Sequence, residues 1–429
     1  MIDIRLVRDD IGSVKSALAR RGVEPAEIDR LASLDAEARA AIGRREEVRA
    51  RVKALSREVG QARKAGQNAR AEELMAESRL AGDEERDLHA AAERAQEAVR
   101  EALLLIPNLP SEEAPDGEPP EGNVIVRTWS PSDPIYTDAQ RIPHWEIGSE
   151  LGILDMERGA RLSGSMFPLY RGAGARLIRA LSAFALDRHG EEYEEIRPPT
   201  LVLTETMTST GHLPKFADDA YHVERDDLWA IPTAEVPLTS MWRGEVLEES
   251  DLPMRLTAGT ACYRREAGSA GRDTRGLLRV HEFDKVELFA YTTPDQAPGE
   301  HESMVARAES LLVDLGLQHR VVDLCTGDLG NAASRTFDLE VYAPGVDQWL
   351  EVSSVSWCTD YQARRANIRY RPEGGGSPTF VHTLNGSALA WARIWAALVE
   401  TGHKEDGTVV LPEVLAPYMG GRTVIEPRS

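Results

Sequence analysis

The feature that most constrains this chain is a stripe of apolar residues spaced by threes and fours. From Leu31 it runs through Leu34, Ala38, Ala41, Val48, Val52, Leu55 and Val59, interrupted where Arg45 takes a seam position. A period near 3.5 residues marks a helix that packs along its length on a partner. A second stripe, through Leu74, Ala81, Leu88, Ala92, Ala95, Val99, Ala102 and Ile106, keeps that period with smaller residues. A Gly-containing stretch, Gly60 to Gly66, separates the two. Two such helices joined by a short turn form an antiparallel hairpin. Residues 1–106 therefore read as an N-terminal module built on a helical hairpin at about 28–104.

The two legs differ in charge. Residues 39–70 carry ten Lys/Arg against three Glu, a balance of +7, while residues 71–101 carry four against ten, or −6. The formal net charge of −21 argues against a protein that coats nucleic acid non-specifically, so any nucleic-acid site must be local. The basic leg, which ends in Arg63, Lys64 and Arg70, is the place for an RNA backbone. The charges serve equally well to solvate a helical pair and hold its legs together.

Residues 107–123, PNLPSEEAPDGEPPEGN, contain five prolines and five acids with no base, a composition unsuited to helix or strand interiors. They read as a linker to a body spanning 124–429. There the pattern changes to short alternating runs (Arg279 to Tyr291, Thr336 to Val341, Gln348 to Ser353) among helical stretches near Ala173 to Arg188, Glu300 to Leu315 and Ala388 to Thr401. Strands with few helices between them predict an α+β body with a mainly antiparallel sheet. Cys262, Cys325 and Cys358 have neither disulfide-framework nor zinc spacing, and the start of the chain has no secretory or membrane-spanning run. A cytoplasmic protein that does not enter the membrane is expected.

Chemistry concentrates in the body. Arg264, Arg265, Arg272, Arg275, Arg279 and Lys285 surround a glycine-rich turn in a strand-like hairpin, suited to a polyanion. No Walker loop or GxGxxG is present, so arginine forks would have to grip any phosphate. Glu235, Glu266, Glu287 and Glu351 lie in apolar, strand-like surroundings, where an unpaired carboxylate is costly. Four of them near Ser and Thr hydroxyls suit a small polar substrate with an ammonium group and a divalent ion.

The strings TGHLPKF, IPTAEVPLT, RREAGSAGRDTRG, FDKVE, FDLEV, EVSS, QARR and VHTLNGS, in that order, resemble those of seryl-tRNA synthetases of the bacterial type. The likeness covers essentially the whole chain. That family belongs to the class II synthetases, whose signatures resemble the segment leading to Arg197, the Arg264 to Glu266 hairpin and the helix bearing Arg393. The resemblance implies a ligase that activates L-serine with ATP and loads it onto tRNA(Ser), with tRNA(Sec) a further acceptor by analogy. It implies a serine pocket of Thr233, Glu235, Glu287, Thr383, Asn385 and Ser387. Arg264, Glu266 and Arg393 become the catalytic group, and Arg264, Arg265, Glu266, Glu351, Val352, Ser353, Ser354 and Arg393 the ATP contacts. Glu351 and Ser354 match the metal ligands, with Mg²⁺ as the ion. Arg51, Lys53, Arg57, Arg63 and Lys64 on the arm, with Arg272 and Arg275, become the tRNA contacts of a homodimer.

The chain departs from the family pattern near this site. Ala388, Trp391 and Ala392 stand in a stretch that usually reads GSGLAVGR, and Ser209 and His212 stand where Gly and Gln are common. Two readings stay open: local repacking, or a specialised copy that tolerates an inhibitor or supplies activated serine to a biosynthetic pathway or carrier protein.

Overall fold

Two short helices, Ile4–Asp9 and Ile11–Ala19, open the chain. Asp3 and Asp10 cap them, accepting from Arg5 N–H at 2.9 Å and Ser13 N–H at 3.0 Å, which satisfies donors with no partner inside the helix. The computed structural model describes residues 1–132, 135–268 and 274–427. Residues 2–107 form one compact unit, and residue 1 with 108–429 the other.

In the first unit α1, Pro25–Lys64, starts on a proline whose missing N–H costs nothing there, and packs along α2, Asn68–Leu105. Leu31, Ala38, Ala41, Leu55 and Ala62 are buried on α1, as are Ala71, Leu74, Ala81, Ala92 and Val99 on α2. Val48, Val52 and Leu88 are half-buried. Gly60 lies inside α1, and the turn is shorter than expected: Gly66, at φ +72°, ends the helix while Gln67 N–H returns to Ala62 O at 2.9 Å. A lone helical glycine costs about 1 kcal/mol against alanine, which continuous packing overrides. The apolar pattern also skips a polar seam residue. Asp35, only 4% exposed, accepts from Arg8 at 2.6 and 2.8 Å and from Arg39 at 2.9 Å.

Residues 108–123 form neither helix nor strand, and their polar groups fasten them to the second unit. Asn108 donates to Ala332 O at 2.9 Å and Cys358 O at 2.8 Å, Ser111 N–H donates to Ser334 O at 2.8 Å, and Ala114 packs with Val322, Leu324 and Leu329.

The second unit is built on an eight-stranded sheet. Its strands are β1 Val124–Trp129, β2 Glu194–Glu195, β3 Met254–Tyr263, β4 Glu282–Thr292, β5 His319–Asp323, β6 Arg335–Ala343, β7 Gln348–Trp357 and β8 His382–Ala390. They lie in the order β1-β5-β6-β7-β8-β4-β3-β2, antiparallel except that β2 runs parallel to β3. Helices α3 Ala173–His189, α4 Ala297–Asp314 and α5 Trp391–Gly402 pack on it. The fully buried Trp391 and Trp395 anchor α5 in the main core. Residues 388–390, expected in that helix, continue β8. A bulge between Ser387 and Ala390, with Leu389 at φ +75°, ends the strand before the helix starts.

Candidate active site

Strand alternation collects the polar groups. Thr383, Asn385 and Ser387 are spaced by two on β8, as are Lys285 and Glu287 on β4, and Ser387 pairs directly with Glu287. Thr233 and Glu235 come from the loop and first turn of the short helix Glu235–Ser240. Thr233 Oγ1 donates to Glu287 Oε2 at 3.0 Å and accepts from Lys285 Nζ at 2.8 Å, and Lys285 is ion-paired with Glu287. Glu235 accepts from Gln362 Nε2 at 2.6 Å and Asn385 Nδ2 at 3.1 Å, while Thr383 donates to Gln362 Oε1 at 2.6 Å. Burial pushes the Glu235 carboxyl up to about 7, helped by the charge of Glu287.

A cavity of about 180 Å³ lies against Glu235, Asn385, Ser356, Cys358 and His212. A second, of about 170 Å³, lies against Arg264, Glu266, Lys285, Glu351 and Arg393. A third, of about 530 Å³, shares His212 and Phe216 with the first and Arg264, Glu266 and Arg279 with the second, and so bridges them. The Arg264 guanidinium stands 5.2 Å from the Phe283 ring. Glu266, at φ +51°, is ion-paired with Arg279. Arg393 donates to Glu351 O at 2.6 Å, with the carboxylate 3.7 Å away. Four cations and two acids on one wall suit a phosphorylated, polar guest.

Other expected residues are placed differently. Arg265 donates to Asp218 O at 3.3 Å and is not among the residues lining the second cavity. Val352, though packed in the main core, does line the second cavity, whereas Ser353 is not among its lining residues and its Oγ donates to Ser387 O at 2.6 Å. Ser354 hydrogen-bonds Asp338, its partner across β6 and β7, whose Oδ1 is buried without a partner. Burial and the Glu351 charge hold the Asp338 carboxyl well above the usual range. Gln362 and Asp338 are not among the residues expected at the site, although each stands inside a quoted string (QARR, FDLEV), and Lys285 is expected only as part of the basic hairpin.

The departures separate by position. Ala388 and Trp391 are fully buried in the core, whereas Ala392 lines the second cavity. Ser209 Oγ is satisfied by Glu205 O at 2.8 Å. Thr210 Oγ1 lies 3.0 Å from Met207 O and 2.8 Å from His212 Nδ1, which fixes the imidazole ring at the mouth of the first cavity. Burial, then Arg264 and Lys285, lowers this imidazole to about 3 and keeps it neutral.

On the hairpin, Arg51 is paired with Glu77 at 2.8 Å and Arg63 donates to Met75 Sδ at 3.0 Å. Lys53, Arg57 and Lys64 are exposed on the same helix, with no ion pair among the described residues. Arg275 lies 5.0 Å from the Trp145 ring, and Arg272 lies outside the described residues.

An antiparallel sheet with paired arginines facing a nucleotide-sized cleft defines the core of a class II aminoacyl-tRNA synthetase, and residues 221–402 match the family model of the tRNA synthetase class II core domain (G, H, P, S and T). Residues 1–110 match the seryl-tRNA synthetase N-terminal domain. A serine–tRNA ligase of Gemmatimonas aurantiaca is 50% identical over 98% of this chain and 99% of its own length. The Staphylococcus haemolyticus ligase is 44% identical over 100% and 99%. The crystal structure of seryl-tRNA synthetase from Pyrococcus horikoshii complexed with ATP superposes with a TM-score of 0.91 at 35% identity, covering all of both chains. The chain belongs to the serine–tRNA ligase family.

Proposed function

We propose that this chain joins L-serine to ATP in the cleft between Glu235 and Arg393 and passes the seryl group to the 3′ end of tRNA(Ser). The observation that carries this reading is a pocket lined by Glu235 that joins, through a bridging cavity, the one lined by Arg264 and Arg393, with the buried Glu287 tied to the same network through Thr233 and Lys285. Such a pocket takes an ammonium at one end and phosphates at the other.

Thr233 and Glu287 receive the substrate ammonium. Glu235, held by Gln362 and Asn385, receives the hydroxyl with Thr383, and Ser387 lines the passage to the nucleotide. A site built to hydrogen-bond that hydroxyl rejects alanine, because its own buried groups are then left unpaired. Arg264 holds the α-phosphate, Glu266 the adenine side and Arg393 the distal phosphates. A serine carboxylate oxygen bonds the α-phosphorus while the bond to pyrophosphate breaks. The terminal ribose hydroxyl of tRNA then attacks the acyl carbon, and AMP leaves. No side-chain nucleophile is needed; positioning and cationic groups lower the barrier. His281 donates to Arg264 O at 2.9 Å and His382 accepts from Trp357 Nε1 at 3.3 Å, so neither is assigned a role as base.

The donors Glu351 and Ser354, with the unpartnered Asp338 Oδ1 opposite Ser354, fit a hard cation that takes oxygen ligands, as Mg²⁺ does. Bound with the nucleotide, the ion would offset phosphate charge. Lys53, Arg57 and Lys64 meet the tRNA backbone, and Arg275 the acceptor end. A homodimer is supported by Val124, Ile125 and Val126, which are 47%, 52% and 44% exposed on edge strand β1, a surface that a folded protein normally covers. No described helix is long and apolar enough to cross a membrane, and we place the protein in the cytoplasm.

Pyrophosphate exchange with L-serine, against L-alanine and L-threonine, tests this reading, followed by charging of tRNA. Serine-specific exchange with charging is expected. Exchange without charging would shift the assignment to another acceptor, and absence of exchange would overturn it.

A further inference from the structure

Thr233 Oγ1 has one hydrogen and two lone pairs, and all three are committed. It donates to Glu287 Oε2 at 3.0 Å and accepts from Lys285 Nζ at 2.8 Å and from Glu235 N–H at 3.2 Å. Lys285 is also ion-paired with Glu287, and its side chain is only 7% exposed. An incoming ammonium cannot donate to Thr233 while Nζ does so. The lysine head group has the charge and the three N–H donors of an amino acid's ammonium, so it already occupies that place with the same chemistry.

Given Thr233 and Glu287 as the ammonium subsite proposed above, we infer that Lys285 is a resident cation exchanged for the substrate's ammonium, and that it then acts as a catalytic residue on the phosphate side. Without substrate it pairs with Glu287 and holds Thr233 oriented, so the subsite is preformed despite its burial. On exchange it has somewhere to go, because Lys285 also lines the cavity of Arg264 and Arg393. A four-carbon stem with free rotation allows the move, which the rigid fork of an arginine would not match. There the ammonium faces the oxygens joined in the mixed anhydride, where an added cation stabilises the transition state. Binding the correct end of the substrate thus delivers a charge to the reacting end.

Crystal structures of the full chain without ligand and with L-serine test the exchange directly. The expected pair shows Nζ on Thr233 Oγ1 in the free protein, and the serine ammonium there in the complex with Nζ turned toward Arg264. Nζ still on Thr233 with the serine ammonium on Glu287 would overturn the exchange alone; a serine amino group bound away from both residues would overturn the subsite assignment beneath it. In solution, Lys285→Met should bind L-serine without ATP at least as tightly as the parent, while kcat of pyrophosphate exchange falls at least about tenfold. Weaker serine binding with unchanged kcat would overturn the inference.

Discussion

Gln362 donates through Nε2 to Glu235 Oε1 at 2.6 Å, and its own Oε1 accepts from Thr383 at 2.6 Å. One amide therefore fixes a carboxylate and a hydroxyl assigned to the serine side chain. A buried hydrogen bond to a charged group contributes about 1.5–3 kcal/mol. Gln362→Ala should lower kcat/KM for serine by roughly 10–100-fold, with a smaller change in KM for ATP, both read in pyrophosphate exchange.

Glu235 sets an acid limb. Its carboxyl is raised from the usual 4.5 to about 7, so below neutrality the unliganded pocket is protonated and less able to accept from substrate. As kcat/KM reports the free enzyme, it should fall about tenfold per pH unit below that value. The stability sign is the reverse of the common carboxylate case. Between about 4.5 and 7 the folded state holds a proton that the unfolded chain releases, so this group's contribution declines as pH rises. Thermal unfolding of Glu235→Gln should lose that component.

Ala392 and Ala388 should respond oppositely to glycine. Ala392 borders the second cavity, and Ala392→Gly should lower KM for ATP by about two- to threefold if its methyl crowds the nucleotide. Ala388 faces the core, and Ala388→Gly should leave KM unchanged while costing about 1 kcal/mol in denaturant unfolding.

Removing Lys53, Arg57 and Lys64 together by alanine should raise KM for tRNA at least about tenfold and flatten its salt dependence by roughly two to three phosphate contacts. Pyrophosphate exchange should stay within twofold. Arg51→Ala should do less, because its guanidinium is already engaged by Glu77.

Asp35 ties the short N-terminal helices to α1. Asp35→Asn removes a carboxylate shared by two arginines that are themselves partly exposed, so a loss of about 1–3 kcal/mol is expected in the unfolding of residues 2–107.

The hairpin was legible because its two stripes keep one period over dozens of residues, and the strands around Glu287 and Glu351 because alternation survives in them. Three kinds of detail were not. Asp35 is polar, so an apolar pattern passes over it, and only the arrival of Arg8 from another helix makes its burial tolerable. The strand end at Ala390 depends on a bulge and on the left-handed backbone of Leu389, which no propensity favours. Thr383 and Glu287 aside, Gln362 and Lys285 act through partners more than fifty residues away in sequence, and spacing says nothing about such meetings. Of the serine-pocket residues the resemblance named, Glu235 and Asn385 line the first cavity and Ser387 the second, while Thr233, Glu287 and Thr383 line neither.

The seam of the helical hairpin is mostly alanine from Ala38 to Ala92, with Leu55 and Leu74 as its larger buried members. A methyl group contributes about 0.8 kcal/mol of burial, so each turn of the pair is held weakly, chiefly by the facing leg. Opening can therefore start at Gly66 and proceed inward along both legs. Amide hydrogen exchange should be graded along both legs, fastest beside Lys64 and slowest near Leu31 and Val99. The hairpin is then a spring that stiffens toward its base, able to follow the contour of a bound RNA at its tip.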